Sequence, residues 1–289
     1  MNSADFSTWC ALPQPITPSS GYRVRPLVMG ILNLTPDSFS DGGDFLKTHD
    51  AVRQAEKMIA EGADILDLGA ESSRPGAVPV PAEQELERLI PVIQHLSTRY
   101  DITLSVDTYK PDVMREAVQV GAGMINDIYA LRAPGALDMA AKLDVPVCLM
   151  HMQGTPNNMQ LNPDYSDGVV ASIQAFFHER IDACQHAGIK RERLILDPGF
   201  GFGKTVAHNL MLTQQLHVFQ SHDRPLLLGV SRKSTLGAVL QQDVSHRLPG
   251  ALGASVFAAL QGVTMIRTHD VGATKQALDM VDAIVHATC

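Results

Sequence analysis

PLVMGIL (residues 26–32) is an unbroken apolar run of strand length. After it, Asp50 opens a helical stretch in which Val52, Ala55, Met58 and Ile59 share one face. ADILDLG (63–69) is then a second strand-like run, and Leu86, Leu89, Ile90, Ile93 and Leu96 form the stripe of the next helix. Working outward, the alternation continues. Strands are expected over Ile102–Val106, Gly123–Asn126, Val145–Met150, Leu194–Asp197, Leu226–Val230 and Val263–Arg267. Helices fall between them: Pro111 suits a first helical turn, and Gly188 suits the stop after the Val169–Ile181 stripe. Further helices are expected over Ala136–Leu143, through Leu210–Phe219, and from Gly272 to His286.

Eight strands alternating with helices, with no hairpin signal, predict a parallel sheet. Eight is the number that closes a barrel, so the expected fold is α/β, a single (β/α)8 TIM barrel. A doubly wound open sheet is the alternative. No Gly-, Ser- or charge-rich linker divides the series, so one barrel domain is expected over 26–289, behind a Pro/Ser/Thr-rich, partly ordered N-terminal leader over 1–25.

The 289 residues are 45% hydrophobic, enough for one large core. Lysine and arginine number 23 against 31 acidic residues, a net charge of −8, and no basic face stands out as a nucleic-acid binder requires. No apolar run of ~18 residues exists to span a membrane, and Met1–Ser20 lacks a signal-peptide pattern. Cys10, Cys148, Cys184 and Cys289 fit neither a zinc site nor a disulfide framework. Reduced thiols in a cytoplasmic protein are expected.

Polar residues fall where the strands end: Asn33, Asp67 to Arg74, Asp107, Asn126 with Asp127, His151, Asp197, Ser231 to Lys233, and Arg267 with His269. In a barrel these ends converge on one mouth, the usual seat of chemistry. Asp107, Asn126 and Asp197 offer acceptors suited to a planar, donor-rich ring. Lys233, Arg267 and His269, with Arg74, offer cations suited to a phosphate or pyrophosphate. Gly199-Phe-Gly-Phe-Gly203-Lys204 resembles a P-loop, but its glycines are one residue too close, and as a dinucleotide fingerprint it lacks the third glycine. Those glycines are expected to let the backbone pass close to a flat ligand. The loop Asn33–Gly43 is too rich in Pro and Gly for regular structure, and Phe39 within it suggests a lid.

Several of these stretches resemble one family. MGILNLTPDSFSDGG (29–43) and DLGAESSRPG (67–76) are similar to the two signatures of dihydropteroate synthases. SVDT (105–108), NDI (126–128), MHMQG (150–154), LDPGFGFGK (196–204), SRKS (231–234) and RTH (267–269) resemble further segments in order. Ala70 stands where the family favours glycine, and Ser73 where it favours threonine, but serine keeps the hydroxyl.

The resemblance implies a cytoplasmic, homodimeric barrel enzyme of folate biosynthesis. Such an enzyme joins 7,8-dihydropterin-6-ylmethyl diphosphate to 4-aminobenzoate and releases dihydropteroate and pyrophosphate, with Mg²⁺ present. It places Asn33 at the metal, and Ser73, Asp107, Asn126, Asp197, Lys233, Arg267 and His269 at the pterin diphosphate. The groups available then suggest a mechanism without a covalent enzyme intermediate. Asp197 and Asn126 hold the ring, Lys233 bridges its carbonyl side, and Arg267, His269 and Mg²⁺ neutralise the departing pyrophosphate. Phe39, Pro75 and Phe202 are expected to form an apolar slot for 4-aminobenzoate, shared with sulfonamides, with Arg74 recruited over the mouth and Ser231 available to the carboxylate. A pterin-binding methyltransferase barrel, a catalytically silent pterin-binding paralogue and a Schiff-base aldolase using Lys233 are the alternatives.

Overall fold

In the computed structural model, which describes residues 1–14, 25–35, 44–74 and 76–287, the eight apolar runs are strands of one parallel sheet. They are β1 (Leu27–Asn33), β2 (Ile65–Gly69), β3 (Thr103–Asp107) and β4 (Met124–Asp127), then β5 (Val147–Met150), β6 (Leu194–Asp197), β7 (Leu227–Leu228) and β8 (Met265–Thr268). Hydrogen bonding runs in the order β6-β5-β4-β3-β2-β1-β8-β7, and one parallel bridge between Leu196 and Leu226 brings the two ends together. The sheet is a barrel, not the doubly wound alternative. Its seam is thin because Pro225 has no N–H to donate there. Pro225 still accepts the Leu196 N–H at 2.9 Å. The seventh strand is therefore shorter than Leu226–Val230.

Helices alternate with the strands around the outside. They are α2 (Asp44–Ala60), α3 (Ala82–Arg99), α4 (Pro111–Gln119), α5 (Ala136–Lys142), α6 (Val169–His186), α7 (Val206–Gln214), α8 (Ser234–Leu240), α9 (Leu248–Leu260) and α10 (Val271–Val285). Pro111 does occupy the first turn of α4, and Gly188 takes a positive φ just past α6. The helix expected through Leu210–Phe219 divides: α7 ends at Gln214, and a 3₁₀ turn covers Leu216–His222.

Strand parity sorts the side chains. Leu66, Leu68, Leu104, Val106, Ile125 and Leu149 pack outward into one core with helix residues such as Leu89, Ile93, Ile173 and Phe177. The opposite parity fills the barrel. Its lower layer is apolar: Leu27, Met29, Ile65, Met124, Cys148, Ile195, Leu227 and Met265.

The same layer includes Phe6, Trp9 and Cys10 of an N-terminal helix, α1 (Ser3–Cys10), which caps the lower end of the barrel. Asn2 caps α1 by accepting the Asp5 N–H at 2.8 Å, and the Met1 carbonyl accepts the Thr103 N–H at 2.8 Å. The Phe6 and Trp9 rings stack with centroids 5.7 Å apart. Within the segment read as a partly ordered leader, these residues are part of the barrel's core. Eight residues carry too short a pattern to announce a helix by themselves.

Candidate active site at the barrel mouth

Further up six of the strands, or just past them, the same parity turns polar: Asp67, Ser105 and Asp107, Asn126, Asp197, Ser231, Arg267 and His269. Arg267 reaches across the barrel interior. Its Nε donates to Asp67 Oδ2 at 2.6 Å and its Nη2 to Asp107 Oδ2 at 2.9 Å. Asn126 Nδ2 donates to the same Asp67 oxygen at 3.0 Å. Asp67 is fully buried and its Oδ1 has no hydrogen-bond partner, nor does the buried Ser105 hydroxyl.

Burial, with the neighbouring Asp67 charge, pushes the Asp107 carboxyl up to about 8 against the pull of Arg267. Around Arg267 burial acts against its charge, but the Asp67 and Asp107 carboxylates win and hold its pKa above the ordinary value. Arg267 was expected to face a diphosphate. In the structure its guanidinium donates to the carboxyl groups of Asp67 and Asp107.

Asp197 lies at the end of β6 and is 7% exposed. Its Oδ1 accepts the Gly199 N–H at 2.7 Å, leaving Oδ2 without a bond to any described residue. Burial raises its pKa, while Lys233, the Gly199 N–H, Arg267 and Lys204 hold it down. Lys233 follows β7; its Nζ donates to the Phe200 carbonyl and sits 4.5 Å from the Phe202 ring centroid. Burial brings Lys233 down to about 8, with Asp197 opposing and Arg267 assisting. Phe202, expected in a slot with Phe39 and Pro75, here lies against Lys233.

The loop after β6 makes this possible. At Gly199, φ is +68° and a Cβ would lie 1.8 Å from the His151 carbonyl oxygen. At Gly201, φ is +83° and a Cβ would lie 2.9 Å from Lys233 Cδ. Only glycine fits these close approaches.

On the far side of the mouth, Ser231 Oγ accepts the His269 backbone N–H at 3.3 Å and shares a 3.0 Å hydrogen bond with His269 Nδ1. Burial, together with the charges of Arg232, Arg267, Arg74 and Lys233, lowers the His269 pKa to about 3. His269 was counted among the cations; in this environment its charged form is disfavoured. Positive charge on this rim comes instead from Arg74, which is exposed, and from Arg232, which pairs with Asp270 at 3.2 Å. Ser73 lines a small cleft with Asp107, Tyr109 and Ile128. Phe39 and Pro75 lie outside the described residues.

Asn33 ends β1 half-buried, opposite Gly69 in the register. Among the described residues no group of three or more His, Cys, Asp and Glu could hold a metal ion. A single amide oxygen suits a hard cation that brings most of its ligands as water and substrate phosphate oxygens, which is the habit of Mg²⁺. The residues fit that kind of site and no preformed protein cage.

Asp67 and Lys204 were not singled out from sequence as site residues. For Asp67 the signal was present: a carboxylate at inward parity within an apolar strand is rarely buried without a partner. Lys204 closed both the P-loop-like string and the 196–204 segment, and neither signal told that its amine is buried.

A family model described as pterin binding enzyme matches residues 29–269. The dihydropteroate synthase of Escherichia coli (strain K12) is 52% identical over 263 residues, 91% of this chain and 93% of that protein. The chain belongs to the dihydropteroate synthase family. Its Haemophilus influenzae member is 49% identical over 91% of this chain and 95% of that protein. The Yersinia pestis dihydropteroate synthase, solved with a sulfonamide drug, superposes with a TM-score of 0.87 at 46% identity, covering 96% of this chain and 99% of that one. The Xanthomonas albilineans dihydropteroate synthase in complex with 7,8-dihydropteroate superposes at 0.81 with 44% identity, covering 91% and 94%. The same organism's dihydropteroate synthase with 4-aminobenzoic acid gives 0.86 at 48% identity, covering 91% and 94%.

Proposed function

We propose that this chain condenses 7,8-dihydropterin-6-ylmethyl diphosphate with 4-aminobenzoate to give 7,8-dihydropteroate and pyrophosphate. The observation that carries this reading is the division of one mouth. Asn126, Asp197 and Lys233 offer hydrogen-bonding and charged groups on one side, and Ser231, His269, Arg74 and Arg232 form a polar and cationic rim on the other.

The free Oδ2 of Asp197 accepts a pterin N–H donor, and Lys233, over Phe202, faces the ring's acceptor edge. Asp67 adds negative potential beneath the ring. That potential favours positive charge developing on the methylene as its C–O bond breaks. The electron pair leaves with pyrophosphate. The aniline nitrogen of 4-aminobenzoate forms the new C–N bond and sheds a proton to solvent. No nucleophile on the protein is required, and catalysis rests on alignment. Asn33 would hold Mg²⁺, which supplies charge neutralisation to the leaving diphosphate when bound. Sulfonamides, which share the aniline and ring of 4-aminobenzoate, would take the same slot.

A homodimer is supported by apolar residues exposed on three neighbouring helices: Leu210 and Met211 of α7, Val239 and Leu240 of α8, and Leu260 of α9. A cytoplasmic location is supported by Cys10, Cys148 and Cys184, which are buried free thiols. No helix among the described residues is long and apolar enough to cross a membrane.

The test mixes purified protein with both substrates and Mg²⁺ and follows pyrophosphate. Release requiring both substrates supports the reading; none from folded protein removes it.

A further inference from the structure

The P-loop-like string ends in Lys204, which no step above uses. A phosphate-binding lysine must present its amine to the mouth, whereas Lys204 is only 3% exposed. Its Nζ donates to the carbonyls of Gly199 at 2.9 Å and Phe202 at 3.0 Å, and shares a 3.0 Å hydrogen bond with His151 Nδ1. As an ammonium it donates all three bonds. As an amine it donates two and accepts one. In both states nothing is left for a ligand. Among the described residues no carboxylate makes a salt bridge with it, and the buried group is satisfied by backbone and imidazole.

Those bonds tie down a loop whose other groups are also spoken for. The Phe200 carbonyl takes Lys233, the Gly201 carbonyl takes Gln160 Nε2 at 2.7 Å, and the Gly203 carbonyl takes the Tyr165 hydroxyl at 2.8 Å. The Gly201 N–H donates to Asn209 Oδ1 at 2.7 Å, and the Gly199 N–H holds Asp197. Glycines with positive φ are free chain when unbonded, so this shape exists only while its carbonyls are held.

We propose that Lys204 is a positioning residue for the pterin side of the site: from beneath, it fixes the Gly199–Gly203 loop so that Asp197 and Lys233 stand ready before any ligand arrives. The proposal rests on the function given above.

The experiment compares wild type with Lys204→Met, which keeps the length and apolar stem. The expected result is a KM for the pterin diphosphate higher by about 10²-fold, the cost of a misplaced site. The KM for 4-aminobenzoate at saturating pterin diphosphate should rise much less, because the loop lends that ligand only the Phe202 ring, whereas the pterin depends on Asp197 and Lys233 together. A purely structural lysine would instead lower the melting temperature and disturb both constants together, and that result overturns the proposal. So does an unchanged pterin KM. Wild type inactive with both substrates would overturn the functional reading instead, so the two failures are distinct. Hydrogen exchange on the unliganded wild type decides the matter even where the variant fails to fold. The amides of Gly199, Gly201 and Phe202 should be protected without ligand, and exchange at the rate of open loop would overturn the preformed loop.

Discussion

Arg267 and Asp107 are 160 positions apart in the chain and meet at 2.9 Å inside the barrel, with Asp67 on the same guanidinium. Replacing Arg267 by Met strands the buried Asp67 carboxylate and leaves the Asp107 carboxyl without its cation. Breaking a buried pair in this way costs roughly 3–5 kcal/mol. Urea denaturation should show a loss of that order. Because Arg267 also opposes the upward push on Asp107, ring-side affinity should fall too, measured as weaker dihydropteroate binding.

Asp107 makes stability depend on pH with an unusual sign. Its folded pKa, raised by burial to about 8, exceeds the ~3.9 of an unfolded chain. The folded protein therefore keeps a proton that the unfolded chain has released. This contribution is full below ~4 and is lost as pH rises through the folded value. Relative to wild type, Asp107→Asn should gain stability as pH is raised across that window, read from denaturation curves at stepped pH. A constant difference between the two proteins contradicts the assignment.

Asp197→Asn should cost pterin affinity roughly 2–5 kcal/mol, the penalty for losing one partner of a desolvated charge-assisted pair. Folding should suffer less, since Oδ1 can still accept the Gly199 N–H. Calorimetry with a pterin ligand checks both halves.

Lys233 titrates at about 8 because burial disfavours its charge. If the protonated amine serves the ring, kcat/KM should decline as pH rises through that value. In Lys233→Arg, whose guanidinium stays charged, the alkaline decline should move beyond the measurable range. An unmoved limb would assign it to another group, Asp107 first.

His269, its charged form disfavoured and its ring tied to Ser231, should act on the phosphates alone. His269→Ala should weaken binding of the diphosphate substrate by roughly 1–3 kcal/mol and leave dihydropteroate, which has no phosphate, nearly unaffected. Equal losses for both ligands would place the ring against the pterin.

The sequence by itself determined the barrel and most of its mouth, for local reasons. Apolar runs such as 26–32 and 63–69 are long enough to be buried strands and too short to be helices. Period two then puts Asn126, Asp197 and Arg267 at strand ends facing inward, and parallel strands must bring those ends together. Tertiary structure alone decided who partners whom. The sequence could place Arg267 at the mouth, but only barrel closure sets it between Asp67 and Asp107, and that converts a free cation into a shared one. It likewise decided that the charged form of His269 is disfavoured, because its pKa depends on burial and on Arg232, Arg74 and Lys233 of other loops as well as on Arg267 of its own strand. The same holds for α1: Phe6, Trp9 and Cys10 show one i, i+3, i+4 step, too short to declare them, and they become core because the open lower end of a barrel is apolar surface that water must leave.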